Sequence, residues 1–210
     1  MPDKYKPILG GLLTGCIIMF VPEYGIFGTG FEGMELALAN TLIPLIMLVL
    51  GLLKMVATAN TIGSGGSGGI FGPSMYIGCM FGGVIGFVFQ FLFPTVVSSP
   101  LIYCLIGMAA LFSAAAQAPL NNTIMIVEMS EHFDVFPPLF IGSVLSFFVA
   151  RILFKESSIY TLKLEKRGIN FKIDSLFIME KLHVNEIMTK TVVTIPSNLP
   201  LNDLVEMRNT

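Results

Sequence analysis

The chain has 210 residues, of which 54% are apolar and only 12% charged, about half the charged share usual in a soluble domain. Lysine and arginine (12) do not outnumber aspartate and glutamate (14), and the mean hydropathy is +0.80, which excludes both a disordered chain and a nucleic-acid binder. From Leu36 to Val127, a run of 92 residues, Lys54 is the single charged side chain. A bilayer-spanning helix needs about 20 mostly apolar residues, so that run supplies roughly four crossings. The composition therefore describes an integral membrane protein with a polar C-terminal tail.

In chain order, the first apolar run, residues 8–21, is 14 long, which suits a short, tilted or partly buried helix better than a full span. The N-terminal MPDKYKP lacks the pattern of a secretory signal. Residues 22–33, PEYGIFGTGFEG, read as a glycine-rich turn, followed by a short helix over 34–40 and a span over 41–60. The chain then breaks at IGSGGSGG, 62–69, and a further apolar helix runs over 70–93 with Pro73 near its start. Proline is tolerated in a helix's first turn, where its missing N–H would have no partner. Pro94 and Pro100 bracket a loop, 101–118 is the next helix, Pro119 restarts the chain, and 136–154 spans again. A short segment, 157–167, grows steadily more charged.

Unequal helices broken by glycine and proline argue for an all-α polytopic fold of broken and tilted helices. Backbone breaks at membrane depth survive only when buried in protein or lining a cavity, and the ends of such half-helices commonly build ion sites in transporters. Arg151, Lys155, Lys163, Lys166, Arg167 and Lys172 cluster beyond the last span, which predicts a cytoplasmic C-terminus. From about residue 170 the chain is more mixed in charge, with 192–195 as a strand candidate. About 40 residues are too few for a robust core, so the chain is expected to stop inside a second domain.

Residues 63–68 match G-x-G-x-x-G, but an apolar helix precedes them where a dinucleotide fingerprint needs a strand. The two histidines, His132 and His183, lie outside the apolar runs, and no metal-ligand spacing appears, so an enzyme is not expected. Cys16, Cys79 and Cys104 sit in apolar segments; two of them could pair, but thiols in apolar helices are more often inert small hydrophobes. Gly78, Gly82 and Gly86 recur every four residues, a stripe for close helix packing, within the chain or between subunits. Lys54, near the middle of its helix, is a functional candidate that must face protein or a water cavity. At Gly69-Ile70-Phe71-Gly72-Pro73 the glycines leave the backbone uncovered, and the free N–H groups and dipole of the helix start favour an anion. The alternative there is a plain glycine loop entering a membrane helix.

The stretch GGIFGPSMYIGCMFGG, 68–83, resembles the CLC family of chloride channels and chloride/proton antiporters. The family's G-[KI]-F-x-P signature fits Gly69, Ile70, Phe71, Gly72 and Pro73 at every fixed position. GMAALFSAAAQAPLNNTIMIVEMS, 107–130, and SSIYTLKLEKRG, 157–168, resemble later parts of the same family, with Tyr160 at the position of the tyrosine that offers its hydroxyl to the central anion. VNEIMTKTVVTIPSNLPLNDLVEM, 184–207, resembles the opening of a CBS domain. The resemblance implies a transmembrane region over 1–168, a linker over 169–183 and a truncated CBS start over 184–210.

The family has two inverted repeats, and this chain resembles only the second; the serine loop and the gating-glutamate loop of the first are absent. The implied function is chloride transport by channel or antiport, with the anion held by Gly69–Pro73 backbone amides and the Tyr160 hydroxyl. The implied partners are chloride, membrane lipid, a second copy in a homodimer, and the missing N-terminal repeat in cis or trans. No cofactor is expected, and adenine nucleotide would bind only at a complete CBS pair. A non-transporting membrane scaffold or regulatory fragment is the alternative.

Overall fold

A computed structural model describes residues 5–66, 68–97, 99–153 and 158–165. Among these described residues eight α-helices follow in order: α1 Lys6–Phe20, α2 Phe31–Leu38, α3 Pro44–Gly63, α4 Phe71–Leu92, α5 Leu101–Ala116, α6 Pro119–Ser130, α7 Phe136–Phe148 and α8 Ile159–Glu165. The described residues contain no strand. The chain divides into two compact units, Met1–Lys166 and Arg167–Thr210. The second unit, and with it the expected CBS start and the strand at 192–195, lies outside the described residues.

Proline and glycine set the boundaries. Pro44 opens α3 and Pro119 opens α6, so α3 starts three residues later than the sequence suggested and runs on to Gly63. A proline inside that helix would have removed a hydrogen bond and clashed with the preceding turn; at its first position it does neither. The short helix expected over 34–40 instead begins at Phe31, inside the glycine-rich stretch, because Gly30 turns the chain at φ 90° immediately before it. Helix α5 stops at Ala116, where Gln117 takes a left-handed conformation (φ 59°) before Pro119. The last span is continuous in course but not in winding: α7 passes at Val149–Leu153 into a wider π-helical turn.

Among the described residues, three apolar helical stretches are long enough to cross a membrane: Pro44–Gly63, Phe71–Leu92 and Phe133–Leu153. The chain is thus a multi-pass membrane protein. Helices α1, α3, α4, α5 and α7 pack in that order, each on the next, with α6 against α5 and α7 and α2 against α4. Helix α4 is the innermost; Met75, Tyr76, Cys79 and Met80 on it are fully buried.

The contact of α4 with α5 is a backbone-to-backbone one. A Cβ added to Gly86 would lie 2.9 Å from the Pro100 carbonyl oxygen, and one added to Gly82 would meet the Tyr103 carbonyl oxygen and lie 2.9 Å from the Gly107 Cα. One added to Gly78 would meet the Gly107 carbonyl oxygen. The glycine stripe expected for helix packing is therefore used inside the chain, against a fourth glycine on the facing helix. In lipid, where apolar surfaces gain little by leaving solvent, such close approach is what holds helices together. Thr123 Oγ1 adds a buried 2.9 Å hydrogen bond to Ser143 Oγ across α6 and α7. Cys79 and Cys104 lie buried as free thiols at the α4–α5 contact, and Cys16 is free and exposed.

Candidate anion site

Helix α4 begins at Phe71 with Ile70 as the residue before it, and no side chain caps that end. Pro73, third in the helix, has no N–H to offer. Ser74 is satisfied by Ile70, whose carbonyl oxygen accepts both its N–H (3.0 Å) and its hydroxyl (2.8 Å). The first-turn amides ahead of Pro73 are thus left uncapped, and a helix start of this kind attracts negative charge through its N–H groups and dipole.

That helix start opens on a cavity of about 450 Å³. Gly69, Phe71, Gly72 and Pro73 line it; Ile70 does not, and stands half-buried at the helix boundary. A second wall is one face of α3, with Lys54, Thr58 and Thr61 at helical spacing. Thr14 of α1 joins this wall, its hydroxyl 3.4 Å from that of Thr61. The remaining wall is the loop from Ile26 to Thr29.

Lys54 is 1% exposed. Its Nζ donates to the carbonyl oxygens of Gly25 (3.0 Å), Ile26 (2.8 Å) and Gly28 (3.1 Å), and sits 5.0 Å from the centre of the Tyr76 ring. The sequence required that this cation face protein or a cavity, and it faces both. The carbonyls converge on one point because Gly25 turns at φ 65° and Gly30 at φ 90°, a left-handed geometry that glycine adopts without strain. Tyr76 fastens the same segment from α4, its hydroxyl donating to the Tyr24 carbonyl oxygen at 2.8 Å.

The loop also rests directly on the α4 start. A Cβ built on Gly72 would lie 2.7 Å from the Thr29 carbonyl oxygen and 3.1 Å from the Thr29 Cα. Both are backbone atoms, so a side chain there must push the loop off the helix. Gly72→Ala is accordingly expected to destabilise the protein by about 1–3 kcal/mol, read as a fall in thermal midpoint in detergent. An unchanged midpoint would show that the loop is not seated on the helix as described.

Tyr160 lies on α8 and is 61% exposed; it does not line the cavity. Its helix is tied to the end of α5, where Ser158 Oγ donates to the Ala116 carbonyl oxygen at 3.2 Å. One turn earlier on α5, Phe112 packs edge-on against Phe71, ring centres 5.0 Å apart. The structure thus brings Gly69, Phe71, Gly72 and Pro73 together at one cavity and leaves the Tyr160 side chain outside it. The threonine face of α3 and the loop wall were not singled out in the sequence. Thr58 and Thr61 carry a readable signal, since they recur on the face of Lys54; the contribution of Thr14 depends on which way α1 packs and has none. Among the described residues no group of three histidine, cysteine or acidic side chains is placed to hold a metal.

The family described as voltage gated chloride channel matches residues 1–151. Similar curated proteins include the voltage-gated ClC-type chloride channel ClcB of Escherichia coli O139:H28 (strain E24377A / ETEC) and that of Escherichia coli (strain K12 / DH10B). Each is 34% identical over 159 residues, which is 75% of this chain and 37% of the relative. The chain therefore matches little more than a third of the length of those proteins. With a family match over most of its length and the uncapped glycine–proline helix start set on an internal cavity, the chain belongs to the voltage-gated chloride channel family.

Proposed function

We propose that this chain forms one half of a chloride-transport path, in a channel or a chloride/proton antiporter, and that the anion is held by the backbone amides at the start of α4. The observation that carries the reading is the uncapped first turn of α4 facing a cavity lined by Gly69, Phe71, Gly72 and Pro73. Backbone donors stabilise a partly dehydrated anion without a full countercharge, so the anion can also leave. Gly69 and Gly72 keep side chains away from those donors, Ile70 and Phe71 supply amides, and Pro73 sets the helix start.

In this reading Tyr160, outside the cavity, gives its hydroxyl to an anion at the neighbouring point of the path, toward the complementary half supplied in cis or in trans. The relatives named above are chloride channels, which supports chloride as the ion. The protein acts without a cofactor and catalyses no covalent step. It works as a homodimer in the cell membrane, with its C-terminus in the cytoplasm and a CBS region after the membrane part.

The test is chloride efflux from liposomes carrying the chain together with its complementary half. Tyr160→Phe removes one hydroxyl donor and leaves the amides, so it is expected to weaken apparent chloride affinity roughly fivefold. A bulky residue at Gly69 is expected to cost far more, since it covers the amides. Efflux that ignores Gly69→Leu would place the anion elsewhere.

A further inference from the structure

We propose that Lys54 is the selectivity-determining cation of the cavity, its ammonium fixed at the wall by carbonyls instead of a carboxylate, so that its charge stays available to an anion inside; this rests on the anion-site reading of α4. Three observations lead there. The ammonium has three protons, and the carbonyl oxygens of Gly25, Ile26 and Gly28 accept all three at 3.0, 2.8 and 3.1 Å. These are neutral dipoles, which satisfy the donors and leave the unit charge in place. No acidic side chain pairs with Lys54 among the described residues, and none lines the cavity. Glu23, Glu32 and Glu35 gather instead at a separate outward-facing depression.

Second, the side chain is 1% exposed yet lines the cavity. Away from bulk water a charge acts at longer range and with less screening than at a surface. Third, the glycine-rich stretch 22–33, which had no role in the sequence, is built around this ammonium. A Cβ on Gly30 would stand 3.2 Å from Nζ, and the Tyr76 ring closes the remaining side at 5.0 Å. A compact ammonium with three rotatable donors suits this receptor, and a planar guanidinium does not. The cavity thus has both a helix start and a buried ammonium among its lining residues, a combination that favours any small monovalent anion over a cation.

The test uses the chain together with its complementary half in detergent, with chloride exchanged for isethionate at constant ionic strength. The chloride-dependent rise in thermal midpoint gives an apparent affinity. Lys54→Gln is expected to weaken that affinity roughly tenfold, and Lys54→Arg, which restores the charge but not the three-carbonyl fit, to recover most of the loss. If Lys54→Gln yields no folded protein, Lys54→Met, equally neutral and close in length, takes its place with the same expected roughly tenfold loss. A chloride response in the parent that survives loss of the Lys54 charge overturns the role of Lys54 and leaves the α4 anion site standing. A parent indifferent to chloride overturns the anion site and this proposal together.

Discussion

Reconstituted by itself, the 210-residue chain is expected to show no chloride-selective flux above protein-free liposomes, and to conduct once its complementary half is supplied. The cavity at the start of α4 is walled by α1, the 26–29 loop, α3 and α4. All its donors come from this one half of the path, and Tyr160 stands outside it, 61% exposed. An ion crossing here would be solvated on one side only, while the opposite side met lipid. Unpartnered polar groups in hydrocarbon cost several kcal/mol each. A barrier of that size lowers the rate by about a hundredfold or more. The measurement is chloride efflux under a valinomycin-clamped potassium gradient, with the chain alone and with the chain co-reconstituted. Selective flux of equal size in both would falsify the half-path reading, and the route would then have to be found within these residues.

Closing off the α4–α5 contact is expected to have the largest effect on stability. Gly78→Leu should destabilise the protein by about 3 kcal/mol or more, and Gly82→Leu similarly, both seen as loss of monodisperse protein in detergent. The reason is what the new side chain meets. At Gly78 it is the Gly107 backbone and, 3.0 Å away, the Met108 Cα; at Gly82 it is the Tyr103 carbonyl oxygen and the Gly107 Cα. Backbone cannot rotate aside as a side chain can, so the two helices must separate along their closest contact. Gly11→Leu is the matched control, because a Cβ there meets nothing within 4 Å. Equal losses at Gly11 and Gly78 would mean that the cost lies in helix propensity or membrane insertion and not in the contact.

Much of this protein was legible in its sequence, and for a clear reason. A bilayer admits few backbone solutions, so long apolar runs become helices and glycine–proline breaks become their ends. The uncapped start of α4 could be located from Gly69–Pro73 alone, because a proline in the first turn and glycines before it leave little else for the chain to do. The glycine period in α4 likewise announced a close helix contact. Boundaries were less secure: α2 began at Phe31 and α3 at Pro44, where Gly30 and Pro44 outweighed the run of apolar side chains.

What only the tertiary structure decided was which surfaces meet. The sequence marked Lys54 as an isolated charge that had to be sheltered; it held no sign that the shelter was the 25–28 backbone, since carbonyls are common to every residue. That Gly78 and Gly82 pack on α5 and not on another copy, and that Thr14 joins Thr61 at the cavity, depends equally on packing between segments far apart in the chain. Tyr160 shows the same limit. Its resemblance to the family's tyrosine came from local pattern, but its exposed position follows from how α8 hangs from Ala116 at the end of α5. Local chemistry determines where helices start and stop; three-dimensional packing alone determines which donors, charges and hydroxyls share one cavity.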